Sequence, residues 1–117
     1  MLNSQNIIDE LKQRFPEFEI YPEAEGLHTV AFSFFVDYLN SVFKKDDRVI
    51  INKASEFINE MCASKDHIVE ACIDEIVLGF YTKPEMPYEI LKKTLSSEAQ
   101  LRFEQTTILW DRQKLIE

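Results

Sequence analysis

A chain of 117 residues with 45% hydrophobic content and nine Phe can build one core, burying roughly two-thirds of its extended surface on folding. Two Gly and four Pro argue against a turn-rich β-sandwich or barrel. Gly26 and Gly79, standing far apart, also exclude a glycine-rich phosphate loop. The formal net charge of −8 repels nucleic acid and anionic membrane and suits a basic partner.

The expected elements are helical. Ser4 is placed to cap a first helix that carries Ile7, Ile8, Leu11 and Phe15 on one face, and Pro16 ends it. From Glu17 to Gly26, with Pro22 inside, the chain reads as an extended linker. A second helix from about His28 to Phe43 carries Phe32, Phe35, Val36, Leu39, Val42 and Phe43 at the 3/4 spacing. Val30, Phe34 and Tyr38 widen its apolar surface, which predicts a central helix packed on more than one side.

After the polar turn Lys44-Lys45-Asp46-Asp47, a third helix from about Asp47 to Ala63 presents Ile50, Ala54, Phe57, Ile58 and Met61. Ser64-Lys65-Asp66 is a turn so short that the fourth helix, with Val69, Cys72, Ile73, Ile76 and Phe80 inward, must fold back as an antiparallel hairpin. Pro84 and Pro87 interrupt the chain. Tyr88, Leu91 and Leu95 mark a short fifth helix. Ser97 with Gln100 resembles a capping box opening a sixth that reaches about Gln113. Thr106, Thr107, Ile108 and Trp110 in that last segment would also suit a strand. Trp110 reads as a core residue of the last helix.

The charge is concentrated in two stretches that contain no Lys or Arg. One holds Glu17, Glu19, Glu23, Glu25 and Asp37; the other holds Asp66, Glu70, Asp74 and Glu75. In the first, Phe18, Ile20 and Tyr21 alternate with carboxylates. That pattern fits a docking strip, or a loop whose aromatics pack onto the second helix, since apolar residues in an ordered linker usually point inward. In the second, Glu70 and Asp74 stand four apart opposite the apolar face, with Glu75 beside them. Like charges at that spacing disfavour the isolated helix by a few tenths of a kcal/mol, roughly. The stretch is either a docking face or an ordinary solvated face with Asp66 as the N-cap. The candidate partner contacts are therefore Glu70, Asp74 and Glu75, then Glu23 and Glu25.

Chemistry beyond binding finds little support. Paired carboxylates on an exposed face lack the cleft and the separated pKa values of an acid/base pair. His67 and Glu70 imitate half of a di-iron motif in reverse order, without its other half. His28 and His67 have no nucleophile motif nearby. Cys62 and Cys72 fall at apolar positions and read as buried, reduced thiols rather than a disulfide or metal site. No cofactor is expected. With no basic and apolar leader at Met1-Leu2-Asn3-Ser4-Gln5, and no run of about 20 apolar residues, a cytosolic protein is expected.

The third and fourth helices carry a recognisable pattern: Phe57-Ile58-x-Glu60-Met61, Ser64-x-Asp66-x-x-Val69, then Asp74-Glu75 ahead of Leu78. It resembles the helix–turn–helix unit of HEAT-like α-solenoids and is similar to small all-helical bacterial proteins of largely uncharacterised function. Leu11-x-x-x-Phe15-Pro16-Glu17 upstream, and Leu95-Ser96-Ser97-x-x-x-Leu101 with Trp110-Asp111 downstream, resemble the same group. The chain departs from it in ending the fourth helix Leu78-Gly79-Phe80-Tyr81 and in lacking a glycine before the last helix. Several members of that group are immunity proteins encoded beside polymorphic or contact-dependent toxins. The resemblance implies an all-α fold of five or six helices, with HEAT-like antiparallel hairpins in one compact domain. It further implies a non-enzymatic immunity protein that neutralises a basic toxin domain such as a nuclease. The alternative is a helical adaptor or regulatory module with a cellular partner and no toxin. Oligomeric state is not legible in the sequence.

Overall fold

Apolar side chains recurring every three or four residues select helices, and six form: α1 (Ile7–Arg14), α2 (His28–Lys44), α3 (Arg48–Ala63), α4 (His67–Tyr81), α5 (Tyr88–Lys93) and α6 (Ser97–Ile116). The structure is a computed structural model and describes residues 1–20 and 26–116. No strand occurs among the described residues, so the β-branched segment Thr106–Ile108 is helical, and α6 continues three residues past Gln113. All six helices lie where the sequence placed them.

Two caps differ from their expected positions. Ser4 does not cap α1, whose N-cap is Asn6 without a side-chain bond; Asn3 instead holds the turn ahead of the helix. Its Oδ1 accepts the amides of Gln5 (2.8 Å) and Asn6 (3.0 Å), while Ser4 turns its own amide to Asp66. At α6, Ser96 Oγ accepts the Ala99 amide at 3.2 Å, and Gln100 donates its side-chain amide to the Leu95 carbonyl. Asp66 caps α4 as expected, accepting the amides of Ile68 (2.8 Å) and Val69 (3.2 Å). Asp47 likewise caps α3 through Ile50, and Asp46 before it takes a left-handed φ of 53°.

The core begins as a cluster of aromatic edges. Phe15 meets Phe35 at 5.0 Å and Phe57 at 5.7 Å between ring centres, joining α2 and α3 to the end of α1. Phe18 is buried and lies 5.3 Å from both Phe35 and Tyr38, with Ile20 packed against the same cluster. Here the linker's apolar residues are core, not a docking strip; Tyr21 lies outside the described residues.

The central helix is α4 rather than α2. It packs most extensively on α2 and also meets α3, α5 and α6. The reason lies in its sequence: Val69, Cys72, Ile73, Ile76, Val77 and Phe80 are all buried, covering more than one stripe. On α2, by contrast, Val30 and Phe34 remain partly exposed. Gly79 marks the close approach of the two helices, because a Cβ there would stand 2.9 and 3.0 Å from the two methyls of Val36. The Cα radius of gyration, 13.6 Å, fits the roughly 13 Å of one compact domain of this length.

Candidate functional site

The acidic face begins with the geometry of α4. Successive side chains turn by about 100°, so Glu70 and Asp74 rise on one side and Glu75 on the next. The structure separates them accordingly. Asp74 leans towards α6, where Arg102 Nη2 lies 3.0 Å from its Oδ1 and the Thr106 hydroxyl 3.2 Å from the same oxygen; Arg102 also bonds Thr106. Its charge is thus matched by a side chain 28 residues away, and Asp74 is not a free docking carboxylate.

Among the described residues Glu70 has one ion-pair partner, His67, an exposed ring whose Nδ1 stands 3.7 Å away and which counts as a charge only when protonated. Glu75 is exposed and turns towards α2. Glu23 and Glu25 lie outside the described residues. The trio Glu70, Asp74 and Glu75 is therefore not one array: one carboxylate is neutralised and the other two flank it.

Two clefts run along α4. The one towards α6 has a volume of about 340 Å³ and is lined by Asp74, Arg102 and Thr106 with Leu78, Leu109 and Trp110. Trp110 is half-buried at that cleft, with Lys114 Nζ 5.4 Å from its ring centre, instead of filling the core as expected. Phe103 and Tyr88, stacked with ring centres 6.2 Å apart, are buried in the core instead.

The cleft towards α2, about 330 Å³, is lined by Ser33, Phe34 and Asp37 on one side and Glu75, Gly79 and Lys83 on the other. Neither Asp37 nor Glu75 has an ion-pair partner among the described residues. The negative field extends along α2: burial, then the charges of Glu17 and Asp47, raise the Tyr38 phenol above its ordinary pKa. Asp37 belonged to a basic-free stretch, so its charge was visible in the sequence. Its apposition to Glu75, 38 positions on, was not.

Elsewhere the acidic residues have structural work. Arg14 bonds Glu60 and also reaches Glu10 at 3.0 Å, its guanidinium lying 5.2 Å from the centre of the Phe57 ring. The Arg14 bond pulls the Glu60 carboxyl below its usual pKa. The two thiols are not joined to each other, and burial pushes Cys62 up to about 11 and Cys72 up to about 12. His28 shares a 2.8 Å hydrogen bond with the Ser4 carbonyl. Asn40 Oδ1 is the one buried side-chain polar atom without a partner among the described residues, beside a third cleft of about 280 Å³ lined by Phe43, Lys44, Ile51 and Ile90.

No group of three or more His, Cys, Asp or Glu among the described residues is arranged to hold a metal ion. No helix among them is long and apolar enough to cross a membrane. Neither a curated protein nor a solved structure matches the chain. One family model does, spanning residues 8–111 and hence every helix in whole or in large part. By that match, the chain belongs to the family described as a domain of unknown function, DUF7674.

Proposed function

We propose that this protein acts by binding a basic protein partner, with the α2–α4 cleft as the charged contact. The observation that carries the reading is the pair Asp37 and Glu75, carboxylates from two helices that line one cleft without ion-pair partners among the described residues. Held on packed helices, they lose little freedom when a lysine or arginine arrives. Glu17 extends the face at the edge of α2, and Glu70, about 140° from Glu75 around α4, would be a separate contact on the Asp74 side. Glu23 and Glu25 in the linker join the same proposal. Steering by a net charge of −8 would speed association and make it weaken with salt.

The specific form we favour is an immunity protein, cytoplasmic and non-enzymatic, that occludes a basic toxin domain. A nuclease fits this form because its phosphate-binding Lys and Arg would accept carboxylates in place of phosphates. The second reading, a helical adaptor, is favoured by the α4–α6 cleft. There Asp74 is neutralised and Leu78, Leu109 and Trp110 offer an apolar surface. A gene lying directly behind a toxin reading frame would favour immunity over the adaptor.

The test is charge reversal. Asp37→Lys with Glu75→Lys, checked for an unchanged helical spectrum, should weaken binding of the partner captured from the native host by about tenfold or more at low salt. Unchanged affinity in a folded double variant would remove this cleft from the interface. Loss of binding on Leu109→Glu instead would favour the adaptor surface.

A further inference from the structure

Helix α6 is apolar on two opposite sides. Its inner side is Ala99, Phe103, Thr106 and Thr107, all buried. Its outer side carries Leu101, Ile108 and Leu115, exposed by 55%, 51% and 87%. These three stand seven residues apart, so at about 100° per residue they fall within roughly 40° of one another, on the face turned away from the core. Glu104, Gln105, Asp111 and Arg112 stand between these apolar side chains, and nothing described in this chain covers the outer stripe.

We propose that α6 pairs with the α6 of a second copy of this chain, antiparallel, about a two-fold axis passing at Ile108. That axis sets Ile108 against Ile108, and Leu101 against Leu115 of the second copy. It also sets Glu104 against Arg112 of the second copy, twice, because a two-fold contact repeats. The charges decide the orientation. A parallel pairing would oppose Glu104 to Glu104 and Arg112 to Arg112, whereas the antiparallel one makes both contacts attractive.

The side chains are available for it. Arg112 is exposed and has no ion pair among the described residues. Glu104 meets Lys92 through Oε1 alone, at 3.5 Å. The protein's acidity does not oppose the contact at this place. Over Ser97–Ile116 the three acidic residues (Glu98, Glu104, Asp111) are balanced by three basic ones (Arg102, Arg112, Lys114). Of the α6 residues lining the α4–α6 cleft, Arg102, Thr106, Leu109, Trp110 and Gln113 lie about a quarter-turn or more from the stripe, while Gln105 lies about 60° from Ile108, so pairing would run along the rim of that cleft. The inference does not depend on the acidic-face reading, since it uses neither Asp37 nor Glu75.

Sedimentation equilibrium over a wide concentration range, with circular dichroism as the fold check, tests it. The wild-type chain should associate to a dimer, and Ile108→Glu should be monomeric with an unchanged helical spectrum. Glu104→Arg alone and Arg112→Glu alone should each weaken the dimer by about tenfold or more, and the two together should restore it. In a second measurement, Ile108→Cys should form a disulfide-linked dimer under mild oxidation. A wild-type chain that stays monomeric throughout, or an Ile108→Glu variant that still dimerises, overturns the proposal. So does a double charge swap that fails to recover what the single changes lost.

Discussion

At Gly79 two effects of known size oppose each other. Alanine in a helix interior is favoured over glycine by about 1 kcal/mol. At this position, however, the new methyl would lie 2.9 and 3.0 Å from the Val36 methyls, and overpacking a tight contact costs about 1–3 kcal/mol. Packing should win. Gly79→Ala is expected to lower stability by about 1 kcal/mol in a denaturant titration, and adding Val36→Ala should return part of the loss because the two sites share the space. A Gly79→Ala midpoint at or above wild type would mean that α2 and α4 part at little expense. The sequence shows this glycine as a departure from the expected helix ending, but nothing local identifies Val36, 43 positions earlier, as the reason. Asp74 teaches the same lesson. Its charge and helical face are legible in the sequence, and its neutralisation by Arg102 comes only with the packing of α6 on α4.

Among the elements, α1 to α5 are legible because each keeps apolar residues at the 3/4 spacing and is bounded by a proline, an aspartate cap or a short polar turn. α6 was the hardest to read. Its apolar residues lie on two sides and its β-branched run suits a strand, so periodicity alone did not settle it. Its expected cap at Ser97 missed by one residue because Ser96 and Ser97 are equivalent as acceptors until Asn59 bonds the Ser96 amide, at 2.9 Å. The turn before α4 was read correctly, and its chemistry has a pH signature. The Ser4 amide first, then those of Val69 and Ile68, hold the Asp66 carboxyl below its ordinary pKa. A depressed folded-state pKa contributes stability above the unfolded value, near about 4, and loses it as pH falls through the folded value. Asp66→Ala should therefore melt at a lower temperature than wild type at neutral pH, with the difference shrinking as pH falls below about 4. A difference that stays constant down to strong acid would show that shape, not charge, accounts for the cap.

Across the whole molecule, acidity and apolarity are sorted to different places. Unpaired carboxylates collect along α2 and α4, while the outer stripe of α6 is apolar and electrically balanced. The two contacts proposed above, with a basic partner and with a second copy, would therefore use different surfaces. Among the described residues, the two hydrogen bonds of widest span lie elsewhere. The Ser64 hydroxyl donates to the Leu2 carbonyl at 2.8 Å, and the Ser4 amide donates to Asp66 at 2.9 Å, joining positions 62 apart. These bonds fasten the segment ahead of α1 to the corner between α3 and α4. Leading segments usually fray and exchange their amide hydrogens freely. Here the Ser4 amide should exchange as slowly as amides in the α3–α4 corner, and Asp66→Ala should release it, as followed by hydrogen–deuterium exchange. Fast exchange at Ser4 in the wild type would show the fastening to be loose. If it holds, the stretch from Ser4 to Asp66, which carries α1 to α3, is a loop whose two ends are tied together by hydrogen bonds.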